Sequence, residues 1–388
     1  MSLKVSFSGL EFENPFILAS APPTRNGEMI MRGLAEGWGG AVTKTITLKG
    51  TSSPHPRLSA SQGDARNSIL ENIELLSDYG ADTWSRWLRE IKMYFPNPVI
   101  ASIMAGAGNP GEWADLSEMM IESGAAGVEL NVSCPHGMPE RAGGAFIGQD
   151  AVLTGEITAA VRERISAPLW VKLTPNVTDI TAIGRAAQKA GADALAAINT
   201  IAGISGVDLE TLTPLPDVGG FSTAGGISGA GIKPVALRCV ANLAKLRIPV
   251  SGMGGIGNWE DAAEFILLGA GTVQVCTSVM FHGYGIIYNL KSGLEGYLRR
   301  KGFSSPEEMR GKALEKLVAY ERLDFTHRVK YIVGAECYLC GECVTACRDG
   351  GFQAITLGKK RALINQKKCD ACGLCEIVCP VGAIFESK

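Results

Sequence analysis

The sequence predicts an α/β protein, a TIM (β/α)8 barrel followed by a small cysteine-rich C-terminal domain. Three observations carry that prediction. Short apolar runs alternate with longer helical patterns over the first 300 residues, eight of the eleven cysteines crowd into 337–379, and 48 glycines supply tight turns. The 388 residues fit one large domain and one small one. Strand-like runs fall near Ile17–Ser20, Ala41–Thr45, Val99–Ile103, Gly127–Asn131, Leu169–Leu173, Ala194–Asn199, Pro249–Gly252 and Thr272–Cys276. Helical patterns separate them, as at Asp115–Ser123, Asp179–Ala190 and Asp261–Leu268, each followed by glycine as a helix end prefers. Eight such units fit a closed barrel better than an open doubly wound sheet. Two loops, 46–77 and the Gly-rich 201–233, exceed mere connectors, and loops of that length are usually functional or disordered.

Composition narrows the partners. A net charge of −2 with 20% charged residues argues against a nucleic-acid footprint and against a disordered tail. Mean hydropathy is +0.12, yet no run reaches the ~18 apolar residues of a spanning helix, so no membrane partner is expected. Met1–Phe7 lacks a signal-peptide core, which predicts a cytoplasmic protein. There, disulfides would be unexpected, and the crowded cysteines need another purpose.

Those cysteines form one pattern twice, 32 positions apart. Cys337, Cys340, Cys343 and Cys347 make the first copy; Cys369, Cys372, Cys375 and Cys379, followed by Pro380, make the second. Zinc sites pair two short hooks and have no use for a third close thiolate. Three close thiolates with a distant fourth suit a 4Fe–4S cubane, and the run is that of bacterial two-cluster ferredoxins, in which each fourth cysteine serves the other cluster. The expected sets are therefore Cys337, Cys340, Cys343 and Cys379 for one cluster, and Cys369, Cys372, Cys375 and Cys347 for the other. The expected organisation is a barrel over 1–300, a charged helical linker over 301–330 and a ferredoxin domain over 331–388.

Polar residues gather at the carboxyl ends of the strands, where barrel active sites lie: Ser20, Lys44, Thr45, Asn131, Lys172, Asn199, Thr200 and Thr277. The run Ser251–Ile256, with Gly254 and Gly255, reads as a phosphate cradle of backbone N–H groups, completed by the Gln274–Ser278 turn. With redox clusters in the same chain, a flavin phosphate fits it better than a sugar phosphate.

At this point a family is recognisable. Ile17–Ser20, Val42–Thr45, Asn131–Gly137, Val171–Asn176, Asn199–Thr200 and Gly225–Gly229 resemble the flavin barrel of dihydroorotate and dihydropyrimidine dehydrogenases. Asn72–Leu76 and the double-cluster tail bring the chain nearer the NAD-dependent dihydropyrimidine dehydrogenases, in the subunit that carries the catalytic barrel. The resemblance implies FMN held by Ala19, Ser20, Lys44, Thr45, Lys172, Gly229, Gly254, Gly255, Cys276 and Thr277. It implies a pyrimidine read by Asn72, Glu74, Asn131, Asn199 and Thr200, whose amides and carboxylate match the alternating C=O and N–H of the ring. A buried Lys44 or Lys172 needs an anion, which a reduced flavin supplies.

Cys134 lies beside Asn131, Ser133 and His136 in a Gly/Pro-flanked loop. A thiol with an ordinary pKa near ~8.5 is protonated at pH 7 and can act as general acid. Reduction of a pyrimidine double bond needs a hydride on one carbon and a proton on its neighbour, so Cys134 is the expected donor of the second. Cys239 sits in a helical pattern and reads as core. The stretch Met138–Gly148 and Arg25 depart from the family pattern.

The chain has no Rossmann fingerprint with an acidic ribose reader. Electrons are therefore expected from a partner, an iron–sulfur subunit that binds FAD and NAD(P)H, within an oligomer. The expected activity interconverts uracil or thymine and the 5,6-dihydropyrimidine. The alternatives are a dihydroorotate dehydrogenase-type enzyme or reductase of another cyclic amide, and an electron-transfer module with a vestigial barrel. Glu74 weighs against a reader of a substrate carboxylate.

Overall fold

Eight strands, β1 (Phe16–Leu18), β2 (Gly40–Val42), β3 (Val99–Ile103), β4 (Gly127–Asn131), β5 (Leu169–Leu173), β6 (Ala194–Ala197), β7 (Val250–Met253) and β8 (Thr272–Val275), close into one barrel. All neighbours are parallel and follow chain order, and β8 returns to β1 with Val273 opposite Phe16. The computed structural model describes residues 2–60, 69–133 and 145–387. The expected barrel is thus present. Strands β3, β4 and β5 are buried at every position, as parallel strands under a layer of helices must be.

The covering helices are α1 (Gly27–Ala35), α2 (Ala81–Tyr94), α3 (Pro110–Glu122), α4 (Ala151–Arg164), α5 (Ile180–Lys189), α6 (Lys233–Ala244), α7 (Trp259–Leu267) and α8 (Ile286–Lys301). Side-chain caps start several of them. Asn109 accepts from the N–H of Glu112 and sits before Pro110, while Asn258 and Asp261 form a reciprocal capping box. Both α3 and α7 thus begin earlier than the expected Asp115 and Asp261. Gly124, Gly191 and Gly269 follow α3, α5 and α7 with φ of +106°, +97° and +110°, a left-handed step that only glycine takes without strain.

A hairpin of Val5–Phe7 and Leu10–Phe12 precedes β1. Its Phe7 and Phe12 pack with Ile17, Val42, Ile100 and Trp170, the last two second in β3 and β5, near the amino ends of those strands. Phe7 meets Trp170 edge-on at 5.1 Å, and the indole N–H donates to Ser8 Oγ at 2.7 Å. The amino-terminal end is plugged in this way, which leaves the carboxyl end for chemistry. The two long loops meet there. They pair as an antiparallel sheet in the order Ile201–Gly203, Gly225–Gly229, Ile69–Asn72, Leu58–Ala60.

Residues 318–388 form a separate compact unit from 1–317. In the stretch 301–330, expected as a helical linker, α8 ends at Lys301 and short helical pieces follow: the four-residue helix Pro306–Met309 and two 3-10 turns, Leu314–Lys316 and Tyr320–Arg322. Pro306 and Gly311 break the charged run that looks helical in composition. In the C-terminal unit Tyr331–Val333 pairs with Ile384–Glu386, and Ile355–Leu357 with Ala362–Ile364. The sequence repeat recurs in the backbone. Leu339 and Ala371 have φ of +64° and +62°, and Gly341 and Gly373 φ of +87° and +84°, again 32 positions apart. No described helix is long and apolar enough to cross a membrane.

Candidate active site

The carboxyl ends of the strands surround a cleft of about 1050 Å³. Fifteen of the sequence candidates line it: Ala19, Ser20, Lys44, Thr45, Asn72, Glu74, Asn131, Lys172, Asn199, Thr200, Gly229, Gly254, Gly255, Cys276 and Thr277. Cys134 and His136 lie outside the described residues. Arg25 does not line the cleft; it is tied to Asp78 through Nε at 2.9 Å and a closer NH2 contact.

A hydroxyl network forms the floor. Thr45 Oγ1 is 3.1 Å from Ser20 Oγ, 3.0 Å from Ser102 Oγ on β3, and accepts from Asn131 Nδ2 at 2.9 Å. Ser133, the residue before Cys134, is held from two sides. Its hydroxyl donates to Asn131 Oδ1 at 3.0 Å, and Asn199 Nδ2 donates to its carbonyl at 3.0 Å. Asn72 Nδ2 donates to the carbonyl of Gly226, so this side chain also ties the two long loops together.

The charges are arranged differently from the simplest expectation. Lys44 Nζ sits 2.6 Å from Glu74 Oε2, and Arg57 Nε 2.9 Å from Glu74 Oε1. Buried charges need partners, and here Lys44 finds its anion within the protein. Glu74 is correspondingly occupied by two cations. Arg57, just before the strand Leu58–Ala60, escaped sequence reasoning because only the fold brings it to Glu74. Lys172 differs: it is 4% exposed and forms no ion pair among the described residues.

Three features test whether FMN fits. Lys172 offers an uncommitted buried ammonium, and Thr200 Oγ1 is buried without a partner among the described residues. At the cradle, Gly254 and Gly255 have φ of +119° and +82°. A Cβ on Gly254 would lie 2.9 Å from Ala236 Cβ, and one on Gly255 2.7 Å from Lys233 Cβ. Glycine is required at both positions for the turn to pack against α6, and the same two residues line the cleft with no side chain, as a phosphate cradle needs. The residues fit the cofactor. Gly255→Ala is expected to lower FMN affinity about tenfold, because a Cβ 2.7 Å from Lys233 Cβ pushes the cradle backbone out of place; fluorescence titration of the deflavinated protein measures it.

Burial pushes the Cys276 thiol up to about 11, while Lys172 and Lys44 pull it down. In the flavin-free protein at pH 8, its alkylation is expected to be about 10²-fold slower than that of an ordinary thiol, read by mass spectrometry of the labelled peptide.

In the C-terminal unit the cysteines line two cavities. One, of about 330 Å³, is bounded by Cys337, Cys340, Cys343 and Cys379. The other, of about 650 Å³, is bounded by Cys347, Cys369, Cys372 and Cys375. All eight thiols are free of disulfides, and no group of three among the described residues closes around a point as a single ion would demand. Backbone N–H groups of Ala354, Ala362, Ala371 and Ala383 reach Cys347, Cys337, Cys369 and Cys379 Sγ at 3.2–3.5 Å, the kind of contact that tunes cluster potentials.

A closed barrel with this cleft, joined to a two-cavity cysteine unit, defines a flavin and iron–sulfur oxidoreductase. Residues 2–298 match the dihydroorotate dehydrogenase family, and 331–385 match a 4Fe–4S dicluster domain. The chain is 39% identical over 391 residues to the NAD-dependent dihydropyrimidine dehydrogenase subunit PreA of Escherichia coli K12, covering 98% of this chain and 94% of that protein. It is 38% identical over 336 residues to the chloroplastic dihydropyrimidine dehydrogenase (NADP(+)) of Arabidopsis thaliana, covering 83% and 79%. It is 42% identical over 318 residues to the catalytic subunit of dihydroorotate dehydrogenase B (NAD(+)) of Thermococcus kodakarensis, covering 81% and 98%. The chain belongs to the dihydroorotate dehydrogenase family and, with its dicluster domain, to the dihydropyrimidine dehydrogenases within it.

Proposed function

We propose that this chain is the catalytic subunit of a dihydropyrimidine dehydrogenase that interconverts uracil or thymine and the 5,6-dihydropyrimidine. The observation that carries the reading is Lys172, a buried ammonium without an ion pair, in one cleft with a bare glycine cradle and a hydroxyl and amide floor. When bound, FMN supplies the hydride and the two 4Fe–4S clusters supply single-electron carriage. Gly229, Gly254, Gly255 and Thr277 would hold the phosphate, while Ala19, Ser20, Lys44, Thr45, Lys172 and Cys276 would surround the rest of the cofactor. Asn72, Glu74, Asn131, Asn199 and Thr200 would orient the pyrimidine; Thr200 Oγ1 has a hydrogen bond to give.

Cys134 would deliver the proton that completes reduction of the double bond. Its neighbour in sequence, Ser133, is held in place by Asn131 and Asn199, and a positioned acid depends on anchoring of this kind. The cysteine sets that line the two cavities would ligate the clusters, each set taking three residues from one motif and the fourth from the other.

Electrons would come from an iron–sulfur partner subunit that binds FAD and a nicotinamide. Supplied with NADH or NADPH and uracil, the isolated chain is expected to leave the nicotinamide absorbance unchanged, whereas the dithionite-reduced chain converts uracil to dihydrouracil. Direct nicotinamide oxidation by the chain alone would remove the need for that partner.

One observation favours a second substrate. Arg57 pairs with Glu74, and a cation near the cleft is what a carboxylate-bearing ring such as dihydroorotate would use. Its commitment to Glu74 weighs against that use.

A further inference from the structure

Below the cleft, the barrel interior contains an acid that the reaction above leaves unused. Strand β4 is buried throughout, yet its third residue is Glu129, 0% exposed. Its Oε2 accepts from Gln274 Nε2 on β8 at 3.2 Å, and the same amide nitrogen donates to Ser251 Oγ on β7 at 3.3 Å. Glu129 Oε1 and Gln274 Oε1 are both buried without a donor among the described residues. A carboxylate has only acceptors to offer, so an ionised Glu129 would leave this cluster short of hydrogens; a protonated one brings the missing donor.

The charged group acting on Glu129 is Lys172 of the adjacent β5, while β3 contributes the Ser102 hydroxyl and β8 the neutral amide of Gln274. Two lysine–glutamate neighbours thus share one site and behave differently. Lys44 and Glu74 have closed to 2.6 Å. Lys172 and Glu129 form no such pair. In a water-free interior, opposite charges with freedom to meet are strongly drawn together. The open pair is what a neutral acid beside a charged ammonium produces.

We propose that Glu129 works as a neutral carboxylic acid and a positioning residue, which donates a hydrogen bond inside the barrel and leaves the charge of Lys172 free for the flavin. Burial raises its affinity for the proton, against the opposing pull of Lys172. An ionised Glu129 would cancel that ammonium from below and disfavour the negative charge that a flavin gains on reduction. This inference rests on the flavin reading and extends it to a residue outside the cleft.

The test is Glu129→Gln, nearly identical in shape and permanently neutral. It is expected to retain FMN and to show the same flavin midpoint potential at pH 7 as the wild type. Wild-type-minus-variant infrared spectra, recorded in H2O and D2O, are expected to contain a deuterium-sensitive carboxylic acid C=O band. A raised midpoint potential in the variant, or carboxylate bands in place of the acid band, would overturn the proposal. The infrared measurement needs no cofactor. A chain without FMN would therefore defeat the flavin reading while the acid band still reports the state of Glu129. If the glutamine variant does not fold, Glu129→Met, of similar volume, serves in both measurements.

Discussion

Cys134→Ala is expected to slow pyrimidine reduction by roughly 10²–10⁴-fold, the usual worth of a positioned general acid. FMN should stay bound, because the glycine cradle and Lys172 are untouched. Cys134→Ser keeps size and hydrogen bonding but raises the side-chain pKa far above 7, so it should be slow as well. In the wild type the rate should fall as pH rises through the thiol pKa, since only the protonated form can deliver. Stopped-flow reoxidation of the dithionite-reduced chain by uracil isolates this half-reaction from electron delivery. A near-wild-type rate in Cys134→Ala would return the proton to His136 or to water.

The second large effect lies in the C-terminal unit. Cys347 belongs by sequence to the first motif, yet it lines the cavity of Cys369, Cys372 and Cys375. Cys379 belongs to the second motif and lines the cavity of Cys337, Cys340 and Cys343. Cys347→Ala is therefore expected to lose the cluster of the second motif, and Cys379→Ala that of the first, by iron analysis and EPR. Nicotinamide-driven turnover with the partner should collapse in both, while dithionite-reduced protein still passes hydride to uracil. Each variant losing the cluster of its own motif would refute the crossed arrangement.

Parts of this architecture are legible in the residues and parts are not. Val99–Ile103, Gly127–Asn131 and Leu169–Leu173 coincide with β3, β4 and β5 because five buried positions in a row leave little latitude. The expected strands at Ala41–Thr45 and Ala194–Asn199 run past the observed ends, since Thr43–Thr45 and Ile198 continue buried, and Asn199 half-buried, beyond the hydrogen-bonded ladder toward the cleft. The antiparallel sheet of the long loops left no periodic signal: its strands have three to five residues, and its central pair joins Ile69–Asn72 to Gly225–Gly229 across more than a hundred. Its function was nevertheless marked by loop length. Lys44 and Glu74 were each visible as candidates, but their mutual pairing is a tertiary fact. Glu129 carried a signal that went unused, a carboxylate in a strand otherwise reading as core. The cysteine repeat was legible in full because its spacing recurs 32 residues later.

The central claim is that this cleft oxidises and reduces a pyrimidine ring on bound FMN. Its most direct measurement is anaerobic titration of the purified chain with dihydrouracil, followed through the flavin absorbance, with dihydroorotate in a parallel titration. Dihydrouracil is expected to bleach the flavin and uracil to restore it, while dihydroorotate leaves the spectrum unchanged. Bleaching by dihydroorotate alone, or a chain purified without FMN, would contradict the assignment.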